Sequence, residues 1–184
     1  VGAVSPLTGL PGNNRIEQEI QARMERNTPI AVVYADLDNF KSFNDRYGFL
    51  RGDEVISLAA QVLRLAAQET AGADGFVGHI GGDDFVAIVP PEAAEVFSTR
   101  VIESFDARIL SLDDPEDAGA GMIELEDRQG QLRRFPIVSM SLGIASNAQR
   151  SFSSPREVVA TATELKSLAK KDQGSAFAMD RRST

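Results

Sequence analysis

The chain contains no cysteine and a single histidine, His79. The first absence rules out disulfides, thiolate metal sites and cysteine nucleophiles, and the second rules out a metal site built from several imidazoles. No apolar run approaches the roughly 20 residues needed to cross a bilayer, and no signal peptide is visible. Positive charge is also scarce. Lys and Arg number 19 against 27 Asp and Glu, a net charge of −8. Such a balance argues against a broad electrostatic grip on duplex DNA or on an anionic membrane. A small anionic ligand stays compatible with it, provided metal ions and a few local cations offset the field. The sequence opens on Val1 rather than Met, and a segment of a longer protein is therefore expected.

What is present suits one domain over residues 1–184. The length supports a full hydrophobic core, and 42% hydrophobic with 25% charged residues is globular composition. Asn14 with Glu17 three places on, then Ile16, Ile20 and Met24 at helical spacing, predicts a first helix capped at Asn14. IAVVYADL (30–37) is a nearly continuous apolar run, expected as a central strand covered on both faces. Asp36 and Asp38 at its far end share a side if the strand continues. A long helix is expected from Asp53, and another from about Glu92 to Leu110. An acidic loop follows at 111–121, then a polar hairpin turning at Gln129 and Gly130. PIVSMSLGIA (136–145) reads as a further core strand. A last helix is expected from Ser154 through Ala169, with Gly174 to end it, and SAFAM as a closing edge strand.

The stretch FVGHIGGDDFVAIV (76–89) interrupts two strand-like runs with Gly81, Gly82, Asp83 and Asp84. Paired glycines between β-branched and aromatic runs predict a tight hairpin. Two carboxylates at its tip have an ordinary reading as a solvated turn, and taken alone that reading leads.

PLTGLPGN (6–13), DLDNFKSFNDRYGFLRGDEV (36–55), GHIGGDDF (78–85) and SMSLGIA (139–145) stand in one chain in a fixed order. Together they resemble the GGDEF family, the diguanylate cyclase domains that join two GTP into cyclic di-GMP, from about Ser5 to Met179. The resemblance implies an α+β fold with a central, mostly antiparallel five-stranded sheet and flanking helices, here with an extra β-hairpin at 122–135. It implies Mg²⁺ or Mn²⁺ on Asp36, the Leu37 carbonyl and Asp83. Asp84 would help to activate the attacking hydroxyl or bind metal, and the three acids form the catalytic set. Backbone N–H groups of Asn39 and Phe40, with the Lys41 cation, would meet the phosphates, and Asn44 and Asp53 would read guanine. Phosphoryl transfer needs positioning and charge neutralisation, which carboxylate-held divalent ions supply. A carboxylate can accept from guanine N1–H and N2–H₂. The plain alternatives are a helix cap at Asp53 and a solvated surface cation at Lys41.

Several positions depart from the family pattern. Asp84 replaces the usual Glu and shortens the arm by one methylene, and a misplacement of about 1 Å can cost on the order of a hundredfold in rate. His79 stands where Arg is usual, either contacting ligand or buried and satisfied by a carbonyl. Phe49 replaces a usual His. Lys170 or Lys171 would reach phosphate, but Ser175 stands where a cation is expected. An Arg-x-x-Asp inhibitory site is absent from the window Gly72–Gly75. The expected partners are GTP, cyclic di-GMP as product or ligand, a second copy for catalysis, and an upstream sensory or regulatory domain, with no DNA and no membrane contact. The domain is expected in the cytoplasm, and its parent could be membrane-anchored. The rival expectation is a catalytically silent module that binds GTP or cyclic di-GMP and regulates an attached domain. Class III adenylyl cyclases and polymerase palm domains form a weaker third class, against which DLDNFK and RGDEV argue.

Overall fold

The computed structural model describes residues 4–112, 122–126, 128–136, 138–172 and 174–183. Among these residues five α-helices and seven strands follow one another as α1 (Asn13–Glu25), β1 (Ala31–Asp38), α2 (Phe40–Tyr47), α3 (Phe49–Ala71), β2 (Phe76–Gly81), β3 (Asp84–Val89), α4 (Ala94–Ile109), β4 (Met122–Glu126), β5 (Leu132–Pro136), β6 (Ser139–Ser146), α5 (Pro155–Ala169) and β7 (Ala176–Met179). Strands β2, β3, β1, β6 and β7 form one sheet in that spatial order, while β4 and β5 pair apart from it. β1 lies antiparallel between β3 and β6, β2 is antiparallel to β3, and β7 joins β6 in parallel at the edge. The sheet is therefore mixed, with only its last pair parallel.

Alternation along β1 sets the two faces. Ala31, Val33, Ala35 and Leu37 enter a core shared with α3 and α4, around Phe85, Phe97 and Phe105. Val32 and the partly buried Tyr34 join the opposite core, where Ile16 and Ile20 of α1 meet Val158 and Ala162 of α5. The apolar run of β1 thus has both faces covered, which is why it lacks polar alternation until Asp36. Each fully buried Phe or Ile contributes on the order of 2 kcal/mol of burial free energy.

Helix boundaries correct several expectations. Gly12, not Asn14, is the N-cap of α1, and no side chain among the described residues caps that end. Asn14 lies inside the helix and Glu17 forms a loose ion pair with Arg156 at 3.7 Å. α3 begins at Phe49, four residues before Asp53. The cap reading of Asp53 fails for this reason, because Asp53 is already within the helix. α5 does begin as expected, with the Ser154 hydroxyl accepting from the Glu157 N–H and Pro155 in its first turn. It ends at Ala169, well before Gly174. Most of the expected acidic loop, residues 113–121, lies outside the described residues.

Candidate functional site

The Val32 and Tyr34 phase of β1 continues into Asp36 and Asp38, so both acids emerge on the face that α5 covers. Asp84 sits directly opposite Asp36 across the β1–β3 ladder. At the β2–β3 turn Gly82 takes φ +52°, a left-handed conformation that costs glycine little. The turn is tied down by the Leu37 N–H, which donates to the Asp83 carbonyl at 3.1 Å. As a result, carboxylate oxygens of Asp36, Asp83 and Asp84 come within 4.8 Å of one another.

Crowding three acids has an electrostatic cost. Burial, and next the nearby Asp36 charge, push Asp84 up to about 6. The same two causes, in the same order, raise Asp83. The Tyr34 hydroxyl bonds to Asp84, and burial followed by the Asp84 charge raises its own ionisation. Asp36 is almost fully buried. Its Oδ2 receives the Lys170 ammonium at 2.8 Å and the Lys166 ammonium at 3.4 Å. Lys170 also reaches Asp38 at 2.8 Å, which places Asp36 and Asp38 on one side of the strand as expected. Burial alone would lower Lys170, but its bonds to Asp36 and Asp38 outweigh that and raise it. The hydroxyls of Ser139 and Ser141 donate to Asp38 at 2.7 and 2.8 Å.

The lysines reach the acids because α5 lies unusually close to β6. A Cβ on Gly143 would stand 2.0 Å from the Ala162 carbonyl oxygen and 2.2 Å from the Lys166 nitrogen. Only a residue without a side chain fits between helix and strand there.

A second cluster sits on α2 and α3. Asn39 takes φ +62° as it leads into α2, whose first residues, Phe40 and Lys41, belong to the turn where backbone N–H groups lack intrahelical acceptors. Phe40 is buried in the core and Lys41 is exposed. Asn44 lies against α3 at Gly52, where a Cβ would fall 1.8 Å from the Asn44 Oδ1. That oxygen is buried and has no hydrogen-bond partner among the described residues. Asp53, next along α3, is exposed and borders a cleft of about 420 Å³ with Leu7, Ser57, Leu58 and Leu112. Phe49 and Leu50, at the start of α3, are 79% and 84% exposed, so neither has a packing role.

His79 is buried. Its Nε2 donates to the Gly82 carbonyl at 2.9 Å. The Ser5 and Thr8 hydroxyls face Nδ1 at 2.8 and 3.3 Å, and the ring stacks on Phe85 at 4.6 Å between centroids. Both ring nitrogens are thus engaged within the protein. The Ser175 hydroxyl donates to Asp106 at 2.6 Å and accepts from the Met140 N–H. Lys171 is exposed beside Lys170. The Gly72–Asp74 turn offers its Asp74 carbonyl to Arg23 of α1 at 2.7 Å.

Tyr34, Lys166, Ser139 and Ser141 are site neighbours that sequence reasoning missed. The signal for Lys166 was its i, i+4 spacing from Lys170 on a helix; for the serines it was their alternation on β6. The acids themselves suit a hard divalent cation. They offer only oxygen donors, no soft ligand, and two of the three retain partial solvent access for the remaining coordination positions.

Comparison with known proteins places these features in context. A family model described as "Diguanylate cyclase, GGDEF domain" matches residues 3–175. The chain is 36% identical to diguanylate cyclase DgcP of Pseudomonas aeruginosa over 110 residues, 58% of this chain and 16% of that protein. It is 34% identical to cyclic di-GMP phosphodiesterase PdeR of Escherichia coli over 107 residues, 57% of this chain and 15% of that protein. The matched segments are thus about a sixth of the length of these relatives. Among solved structures, the GGDEF domain of DgcB from Caulobacter crescentus in complex with c-di-GMP superposes with a TM-score of 0.69 at 23% identity, covering 97% of this chain and 96% of that one. Diguanylate cyclase SiaD from Pseudomonas aeruginosa, in complex with its activator SiaC, gives 0.71 at 22% identity, covering 96% and 62%. At these identities the superpositions speak to fold alone.

Proposed function

We propose, for a chain that belongs to the GGDEF family of diguanylate cyclase domains, a metal-dependent condensation of two GTP molecules into cyclic di-GMP between two copies of the domain. The observation that carries the reading is the convergence of Asp36, Asp83 and Asp84 at the end of β1 and the β2–β3 turn. Asp36, the Leu37 carbonyl, Asp83 and Asp84 would hold Mg²⁺ or Mn²⁺, which when bound neutralises phosphate charge and favours ionisation of the attacking hydroxyl.

The chain's own groups account for the rest. Asn44 presents a buried oxygen with no partner among the described residues, and an unmet acceptor of this kind is stabilised by a donor on the ligand. Guanine offers such a donor, and Asp53 beside the cleft can accept from its N1–H and N2–H₂. The first turn of α2 and Lys41 supply N–H groups and a cation for the triphosphate. Asp84 accepts the proton of the ribose 3′-hydroxyl. A bond then forms from that oxygen to the α-phosphorus of the second GTP, and the bond to pyrophosphate breaks. His79 acts here as a post for the hairpin, while Lys170 and Lys171 supply cations near the phosphates. An upstream sensory or regulatory domain and a cytoplasmic location belong to the same proposal.

A second reading, a module that binds nucleotide without turnover, is favoured by one observation: the Ser175 position, where a cation was expected, holds a hydroxyl committed to Asp106. Purified protein incubated with GTP and Mg²⁺ or Mn²⁺, with product analysis for cyclic di-GMP, separates the two. The cyclase reading expects product, and more from Asp84→Glu, which restores the longer arm. Divalent-dependent GTP binding with no product from either protein, even when dimerisation is enforced, would overturn it in favour of the second.

A further inference from the structure

We propose that Lys166 and Lys170 are resident counter-cations of the three-acid site, and that a divalent ion entering the site displaces Lys170 from Asp36 while Lys166 stays. The proposal rests on the metal reading above and assigns to two lysines the control of metal affinity.

Asp36 Oδ2 receives both ammonium groups, Lys170 at 2.8 Å and Lys166 at 3.4 Å. A divalent ion that takes Asp36 meets two positive charges already within contact distance of the oxygen it needs. One of them must yield, and the surroundings decide which. The Lys166 side chain is 14% exposed and its ammonium lies 5.3 Å from the centroid of the Tyr34 ring, an attractive arrangement for a desolvated cation. Its backbone nitrogen lies close to Gly143 of β6, which holds this part of α5 against the sheet. Lys170 is 34% exposed and follows the last residue of α5. It already holds a second carboxylate, Asp38, at 2.8 Å, and Asp38 is itself oriented by Ser139 and Ser141. Lys170 can leave Asp36 and still keep Asp38 as its partner.

Charge balance points the same way. Asp36, Asp38, Asp83 and Asp84 carry four negative charges when ionised, and the two ammonium groups supply two positive ones. A single divalent ion completes neutrality, so in the absence of nucleotide one ion saturates the site. Removing one unit positive charge beside the entering ion is worth on the order of tenfold in affinity for a partly buried pair.

The experiment is a titration of the 184-residue chain with Mn²⁺ alone, the free ion being followed by electron paramagnetic resonance. The wild type is expected to bind one Mn²⁺. Lys170→Met is expected to bind it about tenfold more tightly, and Asp36→Asn to lose binding. Equal or weaker binding by Lys170→Met overturns the proposal. No binding to either the wild type or Lys170→Met overturns the metal reading itself, and this proposal with it, so the two failures are distinguishable. A measurement on the wild type guards against misfolding of the variant: the Lys170 side-chain Cε resonance must shift as Mg²⁺ is added while that of Lys166 moves less, and a Lys170 signal that stays in place refutes displacement.

Discussion

Asp84 is one methylene shorter than the glutamate usual at its position, and it sits opposite Asp36 in a ladder that cannot slide to compensate. Its carboxyl is pushed up from 3.8 to about 6, by burial first and the Asp36 charge second. A raised folded-state value means that the protonated form favours folding. The contribution is full below the unfolded value, near 4, and is lost as pH rises through 6. Asp84→Asn in metal-free protein is therefore expected to be more stable than wild type at pH 7 and indistinguishable from it below pH 4. The full shift corresponds to about 3 kcal/mol, and screening at this half-exposed group reduces the expected gain to about 1 kcal/mol. Urea titrations across pH 3.5–7.5 check it, and a gap that widens toward acid would contradict the sign. Asp84→Glu is the cleaner restoration of family chemistry than His79→Arg, because His79 is buried and hydrogen-bonded through both ring nitrogens.

Two glycines decide how the helices meet the sheet and each other. Gly143→Ala would drive a methyl group into the α5 backbone, which cannot rotate away as a side chain can. A loss of about 2–3 kcal/mol is expected in chemical denaturation, as for other overpacked cores. Gly52→Ala meets only the end of the Asn44 side chain, which can move. Stability is expected to change little, since alanine favours the helix by about 1 kcal/mol, while GTP affinity measured by titration falls at least tenfold as Asn44 is displaced. The strands were largely legible: β1 by its unbroken apolar run, and the β2–β3 hairpin by Gly81 and Gly82. Helix starts were less so. Phe49 and Leu50 are apolar yet solvent-facing, so the pattern on α3 only becomes periodic after Asp53. The acids were visible as part of long motifs, whereas the partnership of Lys166 with Asp36 joins residues 130 positions apart, and only the packing of α5 on β6 creates it.

At the scale of the whole molecule, the family match covers nearly all of this chain, while the matched segments make up about a sixth of the relatives' length. If two copies must face each other for product to form, specific activity is expected to rise with protein concentration and to level off as dimers saturate. A flat specific activity over a hundredfold dilution would argue for catalysis within one copy. The buried imidazole at position 79 also has a mechanical side. Ser5, Thr8 and the Pro11 carbonyl, which accepts from the His79 N–H at 2.9 Å, fasten the leading strap of the chain to the glycine turn. Tension applied to that strap is delivered at the β2–β3 hairpin before it reaches any helix, and deuterium uptake at the amides of Leu10 and His79 should rise together when the Ser5 hydroxyl is removed.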